Sequence, residues 1–299
     1  MNEFLNNRGM NSARLLAVLL ISSCLFGCAQ PQPQNPRLTV LCKLPAKLNE
    51  NSGLAYFGGD RVWIIEDNGN PDEIYAVNFN GELVKSYSVK DAKNHDWEDL
   101  AQDEKGRLFI GDFGNNDNQR KNLAIYMLPP PESEKGGKIK AQEISFAYPD
   151  QKAFPPKAKN RLYDAEAFFY HQDYFYLFTK NRTKPFSGES KIYRIPAKEG
   201  KQEAELLGSL ITCETERFCK ITSAALSPSG KTLVLMGYGK MWLIRNPQMD
   251  NLAVSELEMI DLKWPTQMES VCFKDENTLL ISDEQSQTRG RYLYQYTLD

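Results

Sequence analysis

The chain has 299 residues, 36 basic and 39 acidic, for a formal net charge of −3, with 41% hydrophobic and 25% charged residues. That balance belongs to an ordinary globular protein able to bury a sizeable core, and it excludes gross disorder. It also excludes the positive footprint of a nucleic-acid binder, and the length suits one all-β domain as well as two average ones.

The N-terminus reads differently from the rest. Arg8 and Arg14 precede an apolar run from Leu15 to Phe26, too short to span a bilayer as a mature helix and patterned like an export signal. The run ends in LFGC at Cys28, and proline-rich PQPQNP follows shortly after. This junction resembles the lipobox of bacterial lipoproteins. The resemblance implies a signal peptide over 1–27, acylation of Cys28, a lipidated tether over 28–36 and a folded domain over 37–299. Cys24 in ISSC is a rival position, with the apolar LFG after it against it, and an ordinary signal peptide with a chance cysteine is the alternative. Several acyl chains anchor stably, at about 0.8 kcal/mol per buried methylene. A bacterial cell envelope is the implied location, and Ala29 rather than Asp after the cysteine favours the outer membrane.

Export permits disulfides. Cys213 and Cys219 flank ETERF and are candidates to close a short loop, while Cys42 and Cys272 sit inside apolar runs; sequence alone does not fix the connectivity.

From Arg37 onward the apolar segments are short, rich in Val, Ile, Tyr, Phe and Leu, and bounded by turn residues, the pattern of strands. Five segments align: SGLAYFGGDRVWIIEDNG, EDLAQDEKGRLFIGDFGN, EAFFYHQDYFYLFTKNR, SAALSPSGKTLVLMGYG and ESVCFKDENTLLISDEQ. Each is followed by an aromatic-bearing strand such as EIYAVNF or RYLYQYTL, and four show a further strand. Four strands per unit predict a five-bladed β-propeller, with six blades as the alternative. The last unit has only three strands, so RLTVLCKLP is expected to supply its outermost one and close the ring. Runs such as VWII, LVLM and LLIS are apolar throughout because blades are buried on both faces.

In a propeller the first strand of each blade lines the central channel. The residues opening those strands are Ser52, Glu98, Glu166, Ser223 and Glu269. Carboxylates gathered in one narrow channel repel one another unless protonated or neutralised, and Ca²⁺ accepts such oxygen ligands. These residues, in SGL, WEDLA, AEA, TSAAL and MESV, resemble the series around the channel calcium of the five-bladed calcium-activated nucleotidases, or apyrases. The resemblance implies Ca²⁺ held by Ser52, Glu98, Glu166, Ser223 and Glu269. Where that family carries an Asp-Asp-Arg-Thr-Gly stretch, this chain reads IIEDNG, keeping Asp67 and Gly69 without the arginine. The chain also looks like uncharacterised exported bacterial propellers with SGL, DNG, DWEDLA, GDFGNN and DAEA motifs.

Strand tips beside the expected ion supply Asp67, Asp112 and Lys180 as candidate catalytic groups. Asn68, Asn116, Arg120, Arg182 and Asp283 are candidate contacts to a small anionic, phosphorylated ligand. Asn115 and Glu284 lie in the same tips. An Asp or Asn there also caps turns through local backbone bonds. Other templates fail: His95 and His171 have no metal or triad spacing, and GDFGNN lacks the phosphate-loop lysine. Two functions are expected to compete: a metal-dependent hydrolase or small-ligand binder, and a non-enzymatic envelope scaffold with a structural ion, in either case a monomer. Fold does not choose between them.

Overall fold

The structure is a computed structural model that describes residues 32–299. The expected signal peptide, the lipidation site Cys28 and the start of the tether lie outside the described residues. No helix among the described residues is long and apolar enough to cross a membrane.

The chain opens with β1 (Leu38–Lys43) and then lays down blade 1 as β2 (Asn51–Ala55), β3 (Arg61–Glu66), β4 (Glu73–Asn78) and β5 (Leu83–Lys90). Blade 2 holds β6 (Trp97–Gln102), β7 (Leu108–Asp112) and β8 (Leu123–Leu128); after the short β9 (Lys138–Lys140) it is completed by β10 (Gln142–Ala147). Blade 3 comprises β11 (Asp164–His171), β12 (Tyr174–Lys180) and β13 (Glu189–Pro196), followed by β14 (Gly200–Glu203) and β15 (Glu205–Ile211). Blade 4 is β16 (Ser223–Leu226), β17 (Thr232–Gly237), β18 (Lys240–Arg245) and β19 (Glu258–Asp261). Blade 5 is β20 (Met268–Phe273), β21 (Thr278–Asp283) and β22 (Tyr292–Thr297).

This is the five-bladed propeller expected from the repeats. Inner strands β2, β6, β11, β16 and β20 abut one another in sequence, and β20 returns to β2. β1 pairs antiparallel with β22 as the outermost strand of blade 5, so the ring is closed by the N-terminal strand. Two additions were not legible. β9 pairs parallel with β5 and β14 pairs parallel with β10, so connections of blades 2 and 3 cover the outer edges of blades 1 and 2. Covered edges no longer offer unpaired backbone to another chain.

The second strands β3, β7, β12, β17 and β21 are buried along nearly their whole length, because both faces of a blade pack on its neighbours. Trp63, Trp97 and Trp242 are fully buried in these contacts, as packing residues. Cys213 and Cys219 form a disulfide with Cα atoms 5.3 Å apart; Cys42 and Cys272 are free thiols buried between blades 5 and 1.

Candidate functional site

Four inner strands carry a one-residue bulge opposite their neighbours, between Ser52 and Leu54, Trp97 and Asp99, Ala165 and Ala167, and Met268 and Ser270. A bulge re-aims the extra residue out of the ladder. The bulged residues are Gly53, Glu98, Glu166 and Glu269. The position equivalent to the glutamates in blade 1 is therefore Gly53, one residue beyond Ser52. No side chain fits there: Gly53 has φ +64°, and a Cβ would lie 2.6 Å from the Leu100 backbone nitrogen. The expected ring of five thus has no side chain on the blade 1 side at this level.

Glu98, Asp164 and Glu166 bring one carboxylate oxygen each within 4.8 Å of one another, all three buried. Glu98 is 7% exposed and Glu166 3%. Gly114, in GDFGNN, permits this packing, because a Cβ there would collide with the carboxylates of Glu98 and Asp96. Lys180 pairs with Glu166 and lies 4.0 Å from Glu269. Arg182 holds Asp164 at 2.5 Å and Glu166 at 2.8 Å and also donates to Asn116. Tyr238 donates to Glu269 at 2.5 Å. The carboxylate of Glu98 receives no hydrogen bond from any described residue, nor do those of Asp96 and Asp67. Four acidic side chains, Glu98, Asp164, Glu166 and Glu269, thus face two cations, two acids more than the cations can neutralise.

The electrostatics follow. Burial pushes Glu98 well above its ordinary value, with Glu166, Asp96 and Asp164 adding repulsion against the opposing Lys180. Glu166 is pushed up to about 8 by burial, against Lys180. Burial alone would lower Lys180, but Glu166 and Glu269 raise it well above its usual range, so Lys180 is a fixed positive charge. At the outer rim, burial and then Glu284, Glu50 and Asp96 raise Asp67 to about 8, and burial with Glu269 raises Glu284 to about 7.

The other expected residues are placed as follows. Asp112 is fully buried, accepting from the Asp96 amide at 2.9 Å and from Arg120 at 3.0 Å. Arg120 also donates to the Gly114 carbonyl at 2.7 Å. Asp283 is sealed likewise, accepting from the Tyr292 amide at 2.7 Å and the Tyr294 hydroxyl at 2.6 Å. Asp112, Arg120 and Asp283 therefore bind strand ends together and keep no free group for a ligand. Asn68 is exposed at the β3–β4 turn. Asn115 ties blade 2 to blade 3, its amide donating to Asp164 at 2.6 Å and its side chain to the Tyr163 carbonyl at 2.9 Å. His95 is exposed, and burial lowers His171, on the opposite side of the ring.

Sequence reasoning missed two residues of consequence. Asp164 joins the cluster two positions before Glu166, as Asp96 stands two positions before Glu98; the recurrence of D-x-E in DWE and DAE carries that signal. Asp99 is the second. Its fully buried carboxylate accepts from Leu100 (2.9 Å), Phe168 (3.2 Å) and Ala224 (3.3 Å) amides and from the Ser223 hydroxyl (3.0 Å). Ser223 in turn accepts from the Val271 amide at 3.1 Å, and Ser52 donates to the Glu98 carbonyl. Asp99, Ser223 and Ser52 together link the inner strands of all five blades. Both serine hydroxyls are thus engaged as fasteners between blades.

Below Asp99, the far ends of the inner strands line a cavity of about 510 Å³ with Leu54, Leu100, Phe168, Ala224, Val271 and Phe273 among its walls. The channel is therefore acidic at one end and largely apolar at the other.

Fold and channel define an all-β propeller with a buried carboxylate cluster at one mouth. No protein-family model and no curated protein matches the sequence. Among solved structures the chain is similar to the PQQ-bound aldose sugar dehydrogenase of Streptomyces coelicolor, with TM-score 0.50 and 10% identity over 88% of this chain and 99% of that one. It is also similar to a structural-genomics protein of unknown function from Bacteroides thetaiotaomicron (TM-score 0.48, 10% identity, 87% of this chain, 75% of that one). A third is the calcium-binding protein regucalcin from Agrobacterium tumefaciens (0.46, 11%, 87% and 93%). At such identities the likeness extends to the fold alone.

Proposed function

We propose that this protein is a cell-envelope propeller that binds a divalent cation, calcium, at its acidic channel mouth and uses that ion to receive a small anionic ligand, with acylated Cys28 holding it to the membrane. The observation that carries the reading is Glu98: a buried carboxylate with no donor, packed over Gly114 beside Asp164 and Glu166. A buried charge without a partner is costly, and a protein normally pairs it or gives it a metal. An oxygen-only set suits a hard cation, and a calcium ion fills its remaining positions with water. The two acids in excess of the cations match one divalent ion, which displaces their protons as it binds.

Glu98, Asp164 and Glu166 would hold the ion, with Glu269 across the channel. A bound cation supplies a positive centre that polarises an anionic oxygen or a water. Asp67 at the rim, with no hydrogen-bond donor and raised to about 8, has the protonation behaviour of a general acid or base near neutral pH. Asp112 and Lys180 do not, being locked to Arg120 and Glu166. The site therefore supports ligand binding first, with hydrolysis resting on Asp67 alone. Elemental analysis of the purified protein, followed by a phosphatase and nucleotidase panel with calcium, tests both levels. Metal-free protein that gains no stability from calcium contradicts the reading, and activity lost in Asp67→Asn with calcium binding intact supports the hydrolase.

A further inference from the structure

The arginines expected to meet an anion, Arg120 and Arg182, are both committed to carboxylates. A different set of cations on the same face is not. The loop before β11 brings Lys157, Lys159 and Arg161 against the β12–β13 connection: the Ala158 carbonyl accepts from the Lys184 amide at 3.1 Å, and the Arg161 carbonyl from the Arg182 amide at 3.1 Å. Lys157, Lys159 and Lys184 are exposed and form no ion pair with a described residue. Arg161 is half-buried, and its Nε is enclosed without any acceptor. No acidic neighbour closes an ion pair on this group. Asp150 is paired with Lys191, Asp164 with Arg182 and Glu216 with Lys220 at 2.8 Å, Glu216 also lying in the field of Lys184; the exposed Asp117 and Glu214 and the half-buried Glu189 form no ion pair with a described residue.

The Arg161 guanidinium donates to no described residue: its Nε is enclosed, out of a solute's reach, while its terminal nitrogens are open and left for an acceptor from solution. Its fork matches the oxygens of phosphate or sulfate. We propose that Arg161, with Lys157, Lys159 and Lys184, forms a docking lip for a compact oxyanion carrying several negative charges. Recession of Arg161 favours a small soluble anion over a flat membrane surface, which the exposed lysines alone would reach. The lip needs no metal, so it stands whether or not the channel binds calcium.

The test uses the described domain in its full chain, freed of divalent ions, titrated calorimetrically with inorganic tripolyphosphate. The wild type binds, and affinity falls with added salt. Arg161→Gln weakens binding about tenfold or more, as loss of a charge-assisted fork does. Lys159→Glu, a fully solvated change that spares the fold, weakens it several-fold, while Lys90→Gln and Lys105→Gln on other faces leave it unchanged. Phosphatidylglycerol vesicles serve as the second arm, and binding to them that is stronger than to tripolyphosphate and indifferent to Arg161→Gln overturns the proposal. Absence of tripolyphosphate binding at millimolar concentration overturns it too, as does an equal loss in the Lys90→Gln control. Binding that survives Glu98→Gln separates this lip from the cation site.

Discussion

The two ends of the channel are built from the same five strands yet are opposites. At the upper mouth Glu98, Asp164, Glu166 and Glu269 crowd together with too few cations; at the lower end Leu100, Phe168, Ala224 and Val271 leave an apolar cavity. Between them Asp99 shows what a buried carboxylate looks like when the fold alone has provided for it, with four donors on its two oxygens. Glu98, its neighbour in sequence, has none. The contrast separates a carboxylate that serves the fold from one that waits for a partner.

The sharpest way to break this comparison is at Asp99. Asp99→Ala leaves three backbone amides and the Ser223 hydroxyl without an acceptor inside the ring, and is expected to cost about 3 kcal/mol or more, read as loss of folded protein or a large fall in urea midpoint. A shift below half that would mean the carboxylate is not the fastener described. Next in size is calcium-linked stability. Ligand at a hundred times its Kd stabilises the wild type by about 2.7 kcal/mol, and Gly114→Ala, whose Cβ displaces Glu98 and Asp96, removes most of that gain in thermal unfolding with and without calcium. An undiminished gain would place the ion elsewhere.

The pH dependence of the metal-free protein comes third. Asp67 and Glu284 rise to about 8 and about 7 on folding, from ordinary values near 4. The folded state therefore holds these protons more tightly than the unfolded chain, and their contribution is present at low pH and lost as pH rises through 7 to 8. Melting temperature without calcium should fall over pH 5 to 8, and calcium should flatten the decline; a rising curve would refute the crowding. The smallest effect is at the other end. His171→Ala at the rim of the apolar cavity should change stability by less than about 0.5 kcal/mol and leave calcium binding alone.

Much of the architecture was legible because its causes are local. Strand runs apolar on both faces, such as LVLM in β17, and turn residues at regular intervals mark blades, and the unpaired RLTVLCKLP had only the last blade to join. Glu98, Glu166 and Glu269 were legible for the same reason, as acids opening equivalent strands. The register was not. A bulge shifts side chains by one residue, so Gly53 rather than Ser52 matches the glutamates, and a hydroxyl expected at an ion became a bond to the Glu98 carbonyl. Asp112 and Asp283 were also out of reach, because whether a strand-tip carboxylate faces solvent or a tyrosine such as Tyr294 depends on contacts between strands.

The most direct test of the cation site is a calorimetric calcium titration of metal-free wild-type protein beside Glu98→Gln. The account predicts one calcium bound per chain with release of protons in the wild type, and no binding by Glu98→Gln, whose metal-free form melts close to the wild-type temperature because the amide replaces a carboxyl that burial already keeps protonated. Equal calcium binding by both proteins, or a variant that melts well below the wild type, would contradict it.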